Sequence, residues 1–417
     1  MNHASGYDLL VVLLSGNVEK TKTIRFEKLT ISDWDNVFYQ AANQGVAPFL
    51  YHRLKIFNSD LHVPPLIKKK LREAYLFALA RNIRLFQELS QVLKVFKNNK
   101  IPVVMLKGIH VAKYVYSNIA LRPMSDMDLL VRKDDLLKTS EKMLELHYHP
   151  KWVVNIEEQY HWHQHLPPFL KQNAFPIEIH WTLEKPNSNF IFDVAELWER
   201  ARSVTLDGTE SLVLSHEDLL LHLCFHTSWH GFRFGLRSLC DISETIRQYQ
   251  DEINWEQVKY SAFNGKMVKY IYISLLLARE LLEAPVPDEV LDMLMPDYLD
   301  PQIVELAKTL VNSYKDVIGQ ASPSSSVLAD LLEKRTLKEK MEIIKTNFFP
   351  APDILAQKYS VPLHSVRIYF YYLVRLKDVL LKYSSSAWRL LFSKKELIDL
   401  TQCVNDQIKF KEWLTSP

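Results

Sequence analysis

The sequence contains little glycine and little cysteine for its length. Nine glycines occur among 417 residues, and this scarcity favours long helices over a glycine-rich all-β fold. The three cysteines, Cys224, Cys240 and Cys403, form no Cys-x-x-Cys pair and no zinc-binding spacing. A sparse, odd set is typical of a reducing compartment rather than of a disulfide scaffold, so we expect a cytoplasmic protein.

Long hydrophobic runs and an excess of one charge sign are also missing. No stretch reaches the roughly 20 uninterrupted apolar residues of a membrane helix, and the apolar run 9–14 is too short for a signal peptide. There are 51 Lys and Arg against 49 Asp and Glu, which excludes the strong overall positive field of non-specific nucleic-acid binders. The hydrophobic content of 47% is sufficient for a sizeable core.

Hydrophobic periodicity divides the chain into three parts. Apolar residues three and four apart predict helices in residues 1–99, and the same period returns at Asp193 and continues to the end. Between them, short runs rich in β-branched residues predict buried strands. The predicted fold class is α+β, mostly helical overall, with a small mixed-sheet core at 100–190 between helical regions at 1–99 and 191–417.

The individual elements follow from the same patterns. The expected helices are 34–54, 65–99, 109–117 and 133–147, with a further helix capped by Ser215. The expected strands are 102–106, the second half of 122–131, weaker ones at 152–156 and 161–166, and 175–183.

Three carboxylates stand out in the predicted strands. Asp126 and Asp128 are two residues apart, so in a strand both side chains project from one face. They repel each other unless water or a divalent cation lies between them. Glu178 is a lone carboxylate in a later strand. The pattern predicts a catalytic Mg²⁺ site, with Mn²⁺ as the alternative ion, at Asp126, Asp128 and Glu178. The competing interpretation is a solvated strand edge with an unrelated core glutamate.

The residues around the first of these strands suit phosphate binding. Lys107-Gly108 ends a strand and opens a helix, where backbone amides and the helix dipole favour an anion. Gly108 allows a phosphate to approach the backbone, and Lys107 supplies a point charge. Arg122 has the geometry to hold a phosphate oxygen bidentately. His180 shares a strand face with Glu178, and we expect it to contact the nucleotide.

These segments resemble a bacterial family of uncharacterised nucleotidyltransferases within the polymerase-beta-like superfamily. The resemblance is strongest in Leu106-Lys-Gly108, Leu121–Val131 and Ile177-Glu-Ile-His-Trp181, and extends more weakly over most of the chain. It implies a nucleotidyltransferase core with Mg²⁺ at the three carboxylates. It also implies transfer of a nucleoside monophosphate from an NTP to an acceptor hydroxyl, with release of pyrophosphate. The acceptor is then a small molecule, a protein or an RNA.

Two alternatives stay open at this point. The usual Gly-Ser or Gly-Gly turn of the superfamily is here Lys107-Gly108, which is similar to toxin-type transferases that modify tRNA or protein. A catalytically silent nucleotide-binding scaffold is the other alternative, and it would be favoured by Glu178 facing away from the aspartates. All three interpretations leave the preferred base and the oligomeric state open.

Two sets of three histidines each share one face of a predicted element: His161, His163 and His165 on a strand, and His222, His226 and His230 on a helix. We expect the strand set beside the site rather than on zinc. The helix set, with Asp241, either lines the nucleotide cleft or forms a satisfied core face, and the core face is favoured. Arg233 and Arg237 follow the helix set of histidines and contact either phosphates or solvent.

The stretch 367–389 mixes aromatic with basic residues, and core packing is favoured there over a membrane-surface helix.

Overall fold

The computed structural model describes residues 5–57, 61–152, 154–160, 163–186, 188, 190–314, 367, 369–375, 377 and 394–416. The chain divides into two compact units, Met1–His230 with Leu236–Asp300 and Gly231–Gly235 with Pro301–Pro417. The first unit contains the sheet and every predicted site residue. The sequence also predicts an exposed loop at 322–326, from its serines and Pro323, and a turn at 348–353, from Pro350 and Pro352. Both lie outside the described residues, as does much of the stretch 367–389.

Five helices precede the sheet. The predicted long helix at 65–99 is confirmed as one helix of 34 residues. The predicted helix at 34–54 is instead two helices, because the chain turns at Gly45, whose φ of +70° is the left-handed conformation that ends a helix. The five are α1 (Gly6–Ser15), α2 (Val18–Thr23), α3 (Ile31–Asn43), α4 (Ala47–Ile56) and α5 (Pro65–Asn98).

Seven strands form one mixed sheet, in the order β3-β4-β5-β2-β1-β7-β6. The central strand β2 pairs antiparallel with β1 and parallel with β5, and β1 pairs parallel with β7. The strands are β1 (Val103–Met105), β2 (Met127–Val131), β3 (His149–Pro150), β4 (Phe169–Leu170), β5 (Ile177–His180), β6 (Arg202–Leu206) and β7 (Thr209–Val213).

The sheet corrects three sequence-based expectations. The hairpin β6–β7 interrupts the helical region expected from Asp193 onward. The weak strand expected at 152–156 is wrong for its described residues, which lead into a short helix, α8 (Ile156–Gln159). Of the strand expected at 161–166, the described part is reduced to one bridge between His165 and His180. The division of the chain at 99/100 and 190/191 stays a prediction.

Helices surround the sheet and complete the first unit. The first after β1 is α6 (Lys107–His110), which continues as a π-helical turn, Val111–Val115. Ser215 caps the helix His216–Trp229 (α10) as expected, since its side chain accepts a hydrogen bond from the backbone N–H of Asp218. The others are α7 (Leu136–Glu145), α9 (Val194–Arg200), α10 (His216–Trp229), α11 (Leu236–Gln248), α12 (Trp255–Asn264), α13 (Val268–Leu282) and α14 (Asp288–Leu294), with α15 (Pro301–Tyr314) and α16 (Lys394–Thr415) in the second unit.

One face of the sheet packs into the main hydrophobic core. The buried side chains of β2 and β5 on this face are Met127, Leu129, Val131, Ile177 and Ile179, and they pack with the C-terminal half of α5. Because strand side chains alternate, the residues between them project from the opposite face. That opposite face carries the polar residues of both strands. In the part of the chain that the structure describes, no helix is long and apolar enough to cross a membrane.

Candidate active site

Two neighbouring parallel strands bring two of the predicted carboxylates together. β2 and β5 pair with Asp128 directly opposite Glu178. Ligand atoms of Asp128, Glu178 and His180 all lie within 4.8 Å of one another. Side chains of these types at such separations can bind one cation. Glu178 therefore faces Asp128, and the geometric condition that would have favoured a silent scaffold is not met.

The third predicted carboxylate, Asp126, lies just before β2 rather than within it. Its Oδ1 accepts a hydrogen bond of 3.0 Å from the hydroxyl of Ser125. Burial, followed by the negative charge of Asp128 and then that of Glu178, raises the pKa of Asp126. Asp126 is therefore close enough for electrostatic repulsion by both other carboxylates, although it is outside the tighter three-residue group.

Asp128 is bonded to two nitrogen atoms from different elements. Lys107 Nζ and His180 Nε2 each lie 3.0 Å from its Oδ1. Burial would raise the pKa of Asp128, but the charge of Lys107 and the hydrogen bond from His180 outweigh it and hold this pKa well below its usual range. His180 Nε2 also lies 3.6 Å from Glu178 Oε2, and this contact lowers the pKa of Glu178. His180 is thus located between the two carboxylates.

The Lys107-Gly108 turn lies where β1 ends and α6 begins. Lys107 has a φ of +39°, a left-handed conformation that is unfavourable for a residue with a side chain. A Cβ atom at Gly108 would lie 2.7 Å from Nη1 of Arg122. The structure thus gives a reason for glycine here that the sequence did not suggest, since Gly108 makes room for a guanidinium. Its predicted role in phosphate approach stays a prediction.

The guanidinium of Arg122 forms an ion pair with the carboxylate of Asp241. Its Nε and Nη2 donate to Oδ2 of Asp241 at 3.1 and 3.0 Å, and Nη1 donates to the carbonyl of Pro123 at 3.2 Å. The hydroxyl of Tyr116 donates to the other oxygen of Asp241 at 3.2 Å. The two guanidinium nitrogens predicted to bind a phosphate oxygen are therefore hydrogen-bonded to Asp241 in this structure. The binding of a phosphate by Arg122 stays a prediction.

The sequence model of one family, described as "Uncharacterised nucleotidyltransferase", matches residues 31–283. The match covers more than half of the 417 residues and includes every site residue named above. The chain belongs to this family. Its α+β fold class and its assignment as a nucleotidyltransferase are confirmed. No curated protein and no solved structure matches the chain.

In this nucleotidyltransferase, the segment 119–124 before β2 is hydrogen-bonded to α5 by two residues that the sequence analysis missed. Nδ2 of Asn82 donates to the carbonyls of Ile119 and Arg122 at 2.6 and 2.9 Å, and Nε of Arg81 donates to the carbonyl of Met124 at 2.8 Å. Asn82 is fully buried. The signal in the sequence was an asparagine on the apolar face of an amphipathic helix, where a polar group needs a partner.

In the helix set of histidines, His222 and His226 interact electrostatically with Lys107 and Asp128 of the candidate site. Burial, then the positive charge of Lys107, holds the pKa values of His222 and His226 well below the usual range, so both rings are neutral. His222 is buried, as expected for a core face, whereas His226 and His230 are half-buried. However, Nδ1 of His222 has no hydrogen-bond partner among the described residues, so that face is incompletely satisfied.

The strand set is only partly described, because His161 lies outside the described residues. The ring of His165 is centred 5.0 Å from that of His180, and its Nδ1 lies 2.7 Å from the carbonyl of Leu166. This contact puts His165 beside the site, as expected. Within the described ranges, neither histidine set forms a three-ligand metal group.

Proposed function

We propose that this nucleotidyltransferase moves a nucleoside monophosphate from an NTP to an acceptor hydroxyl, with release of pyrophosphate. The observation that carries the proposal is the register of β2 and β5, which sets Asp128 opposite Glu178, with Asp126 one residue before β2. Asp128 and Glu178 therefore lie side by side on one face of the sheet, and Asp126 is close enough to interact electrostatically with both. The family supports the reaction class.

The side chains suit a divalent cation. The raised pKa of Asp126 reflects burial together with repulsion from Asp128 and Glu178, and the nearby positive charge of Lys107 offsets this only in part. Asp126, Asp128 and Glu178 would hold Mg²⁺ or Mn²⁺ through their oxygen atoms. When bound, the ion supplies charge neutralisation at the phosphates and lowers the pKa of the attacking hydroxyl.

The other side chains would bind and orient the donor. Lys107 is the first residue of α6, and its ammonium would move from Asp128 to a phosphate oxygen when the donor binds. His180, which lies between Asp128 and Glu178, fixes the directions of both carboxylates. Backbone N–H groups at the start of α6 and the guanidinium over Gly108 would contribute to triphosphate binding.

The acceptor distinguishes two versions of the proposal. In the first version the acceptor is a small molecule, a protein or an RNA, and the balanced charge of the chain favours none of the three. A toxin-like transferase acting on tRNA or protein would use the same site and is supported by the lysine at position 107. A cytoplasmic setting is part of the proposal, supported by three free, buried cysteines in the described residues.

The test is titration of the purified protein with each of the four NTPs, in Mg²⁺ and in EDTA. The variants are Asp126→Asn, Asp128→Asn and Glu178→Gln, and Glu141→Gln, an exposed carboxylate on α7, is the matched control. We expect binding that requires Mg²⁺ and weakens about 10- to 100-fold in each site variant, the value of one charge-assisted interaction. Control affinity should equal that of the unaltered protein.

The opposite result has a clear meaning. If every NTP fails to bind, or binds equally well in EDTA and in the three site variants, the metal-dependent site does not exist. The silent scaffold would then be the better account. If binding is confirmed, the preferred base directs the search for an acceptor that yields pyrophosphate.

A further inference from the structure

A histidine nitrogen, and not a third carboxylate, belongs to the three-ligand group at the candidate site. Ligand atoms of Asp128, Glu178 and His180 all lie within 4.8 Å of one another, and Asp126 is not a member of this group. Glu178 and His180 are two residues apart in β5, so both project from the face that carries Asp128. The group therefore offers carboxylate oxygens together with one imidazole nitrogen.

The nitrogen that belongs to this group, Nε2 of His180, faces both carboxylates. It lies 3.0 Å from Oδ1 of Asp128 and 3.6 Å from Oε2 of Glu178. Neighbouring ligands of an ion at about 2.1 Å are about 3.0 Å apart in an octahedron and about 3.4 Å apart in a tetrahedron. His180 is 2% exposed, and a closely packed ring has little freedom to turn away. The three side chains thus need little rearrangement to bind one ion.

The second ring nitrogen, Nδ1, leaves His180 free to act as a ligand. A histidine binds a metal ion through a nitrogen without a proton, so the proton of the neutral ring must then be on Nδ1. A hydrogen-bond donor facing Nδ1 would instead hold the proton on Nε2. Nδ1 of His180 is buried and has no hydrogen-bond partner among the described residues. Within that part of the chain, nothing prevents the ring from taking the form that binds a metal ion.

We propose that Nε2 of His180 is a direct ligand of the divalent ion, together with Asp128 and Glu178, and that the site therefore prefers Mn²⁺ to Mg²⁺. This inference rests on the proposed function and adds an imidazole to its carboxylate ligands. Mg²⁺ is a hard cation that takes oxygen ligands, whereas transition-metal ions also bind imidazole. His180 then selects the ion, in addition to orienting the carboxylates.

Pulsed electron paramagnetic resonance detects a nitrogen ligand directly, because the electron spin of bound Mn²⁺ couples to the nucleus of a coordinated nitrogen. The probe is Mn²⁺ with inorganic tripolyphosphate, which contains no nitrogen of its own. The unaltered protein is compared with the same protein carrying ¹⁵N-labelled histidine. We expect a nitrogen coupling that changes with the label. Bound Mn²⁺ without such a coupling would overturn the proposal and leave His180 as an orienting residue only.

Three variants identify the histidine that supplies the nitrogen. His180→Gln should lose the coupling, and His149→Gln, which removes an exposed histidine of β3, is the matched control that should keep it. His165→Gln should also keep it, because His165 lies beside His180 but outside the three-ligand group. A coupling that persists in His180→Gln would contradict the assignment. If His180→Gln does not fold, the label comparison on the unaltered protein still decides whether histidine is a ligand, and His165→Gln excludes its neighbour.

The affinities of the two metal complexes test the predicted preference. We expect Mn²⁺–tripolyphosphate to bind the unaltered protein at least about tenfold more tightly than Mg²⁺–tripolyphosphate, since even outer partners of metal ligands are worth about 10- to 100-fold. His180→Gln should remove most of this difference, and His149→Gln should retain it. Equal affinities of the two complexes for the unaltered protein would refute the preference.

The results also separate this inference from the function on which it rests. If the unaltered protein binds both metal complexes, Asp128→Asn binds neither, and no nitrogen coupling is found, only the role of His180 is refuted. If the unaltered protein binds neither complex, the proposed function itself fails.

Discussion

Asp128 and Asp241 are both buried aspartates bonded to cationic side chains, yet opposite charges surround them. Asp128 is bonded to Lys107 and lies opposite Glu178 on the next strand, in a group of carboxylates. Asp241 is bonded to Arg122, and a second arginine, Arg237, lies one helical turn before Asp241 in α11. Negative charge is concentrated around the first aspartate and positive charge around the second.

Burial and an ion pair therefore do not by themselves identify whether an aspartate belongs to a ligand-binding site. Under the proposed function, a divalent cation would relieve the repulsion around Asp128, and a phosphate would meet the positive charge around Asp241. A metal–nucleotide complex carries both charges. The pair Arg200–Asp218, with bonds of 2.9 Å from Nε and Nη2 to the two carboxylate oxygens, provides the reference case of a similar ion pair.

The largest expected effect comes from removing the charge of Asp241. Asp241→Asn leaves Arg122 with no full counter-charge in a largely buried position, and breaking a buried pair costs about 3–5 kcal/mol of the free energy of unfolding. Asp218→Asn should destabilise the protein similarly, but only Asp241→Asn should weaken NTP binding. Urea unfolding and NTP titration measure the two effects. Equal loss of NTP affinity in both variants would remove the distinction between the pairs.

A smaller and more diagnostic effect concerns the free energy of unfolding in EDTA, which we expect Asp126→Asn and Asp128→Asn to change in opposite directions. Asp128→Asn should lower the free energy of unfolding by about 1.5–3 kcal/mol, because it removes charge-assisted hydrogen bonds. Asp126→Asn should raise it by less than about 1 kcal/mol, because it removes repulsion at a partly exposed site. Thermal unfolding of both variants at neutral pH, against Glu141→Gln, is the measurement.

The pH dependence provides a check on these signs. The pKa of Asp128 is lowered in the folded state, so its stabilising contribution is full above its unfolded pKa of about 4 and is lost as pH falls through the folded value. The pKa of Asp126 is raised, so its unfavourable contribution is present above the folded value and disappears below about pH 4. The advantage of Asp126→Asn should therefore disappear on acidification. An advantage that persisted at low pH would contradict the repulsion argument.

The smallest expected effect is that of Gly108→Ala. The added methyl group would displace the guanidinium of Arg122, and we expect NTP affinity to fall about three- to tenfold, or about 0.7–1.4 kcal/mol. If this loss acts through Arg122, the double variant Gly108→Ala/Arg122→Gln should bind no more weakly than Arg122→Gln alone. Additive losses would show that the methyl group acts on the turn directly.

The sheet face was predictable because strand alternation is a local property. Alternation predicts that the neighbours of Asp128 project from the face opposite to it, and in the structure Met127 and Leu129 lie in the core while Asp128 lies opposite Glu178 on the other face. Asp126 was expected in the strand but precedes it, because the end of a strand depends on its pairing with its neighbours and not on its own sequence.

The Arg122–Asp241 contact could not be predicted from local sequence patterns, whereas the hairpin β6–β7 had a local pattern that was overlooked. The partner of Arg122 is 119 residues away along the chain, and no periodicity reports such a contact. The hairpin β6–β7, by contrast, had a local signal: Asp207-Gly208 between β-forming residues is a favoured two-residue turn, and both residues have positive φ, at +47° and +76°. The helical periodicity on either side concealed it.

The ion pair between Lys107 and Asp128 has a consequence for the order of binding. A tethered ammonium is always present at its carboxylate, so a free divalent cation must compete with it for the same oxygen atom. A cation that arrives on a triphosphate brings phosphate oxygens with it, and these can take up the ammonium that is displaced. We therefore expect the metal ion and the nucleotide to bind as one complex. Each should bind weakly in the absence of the other, so that the site stays unoccupied until both are present.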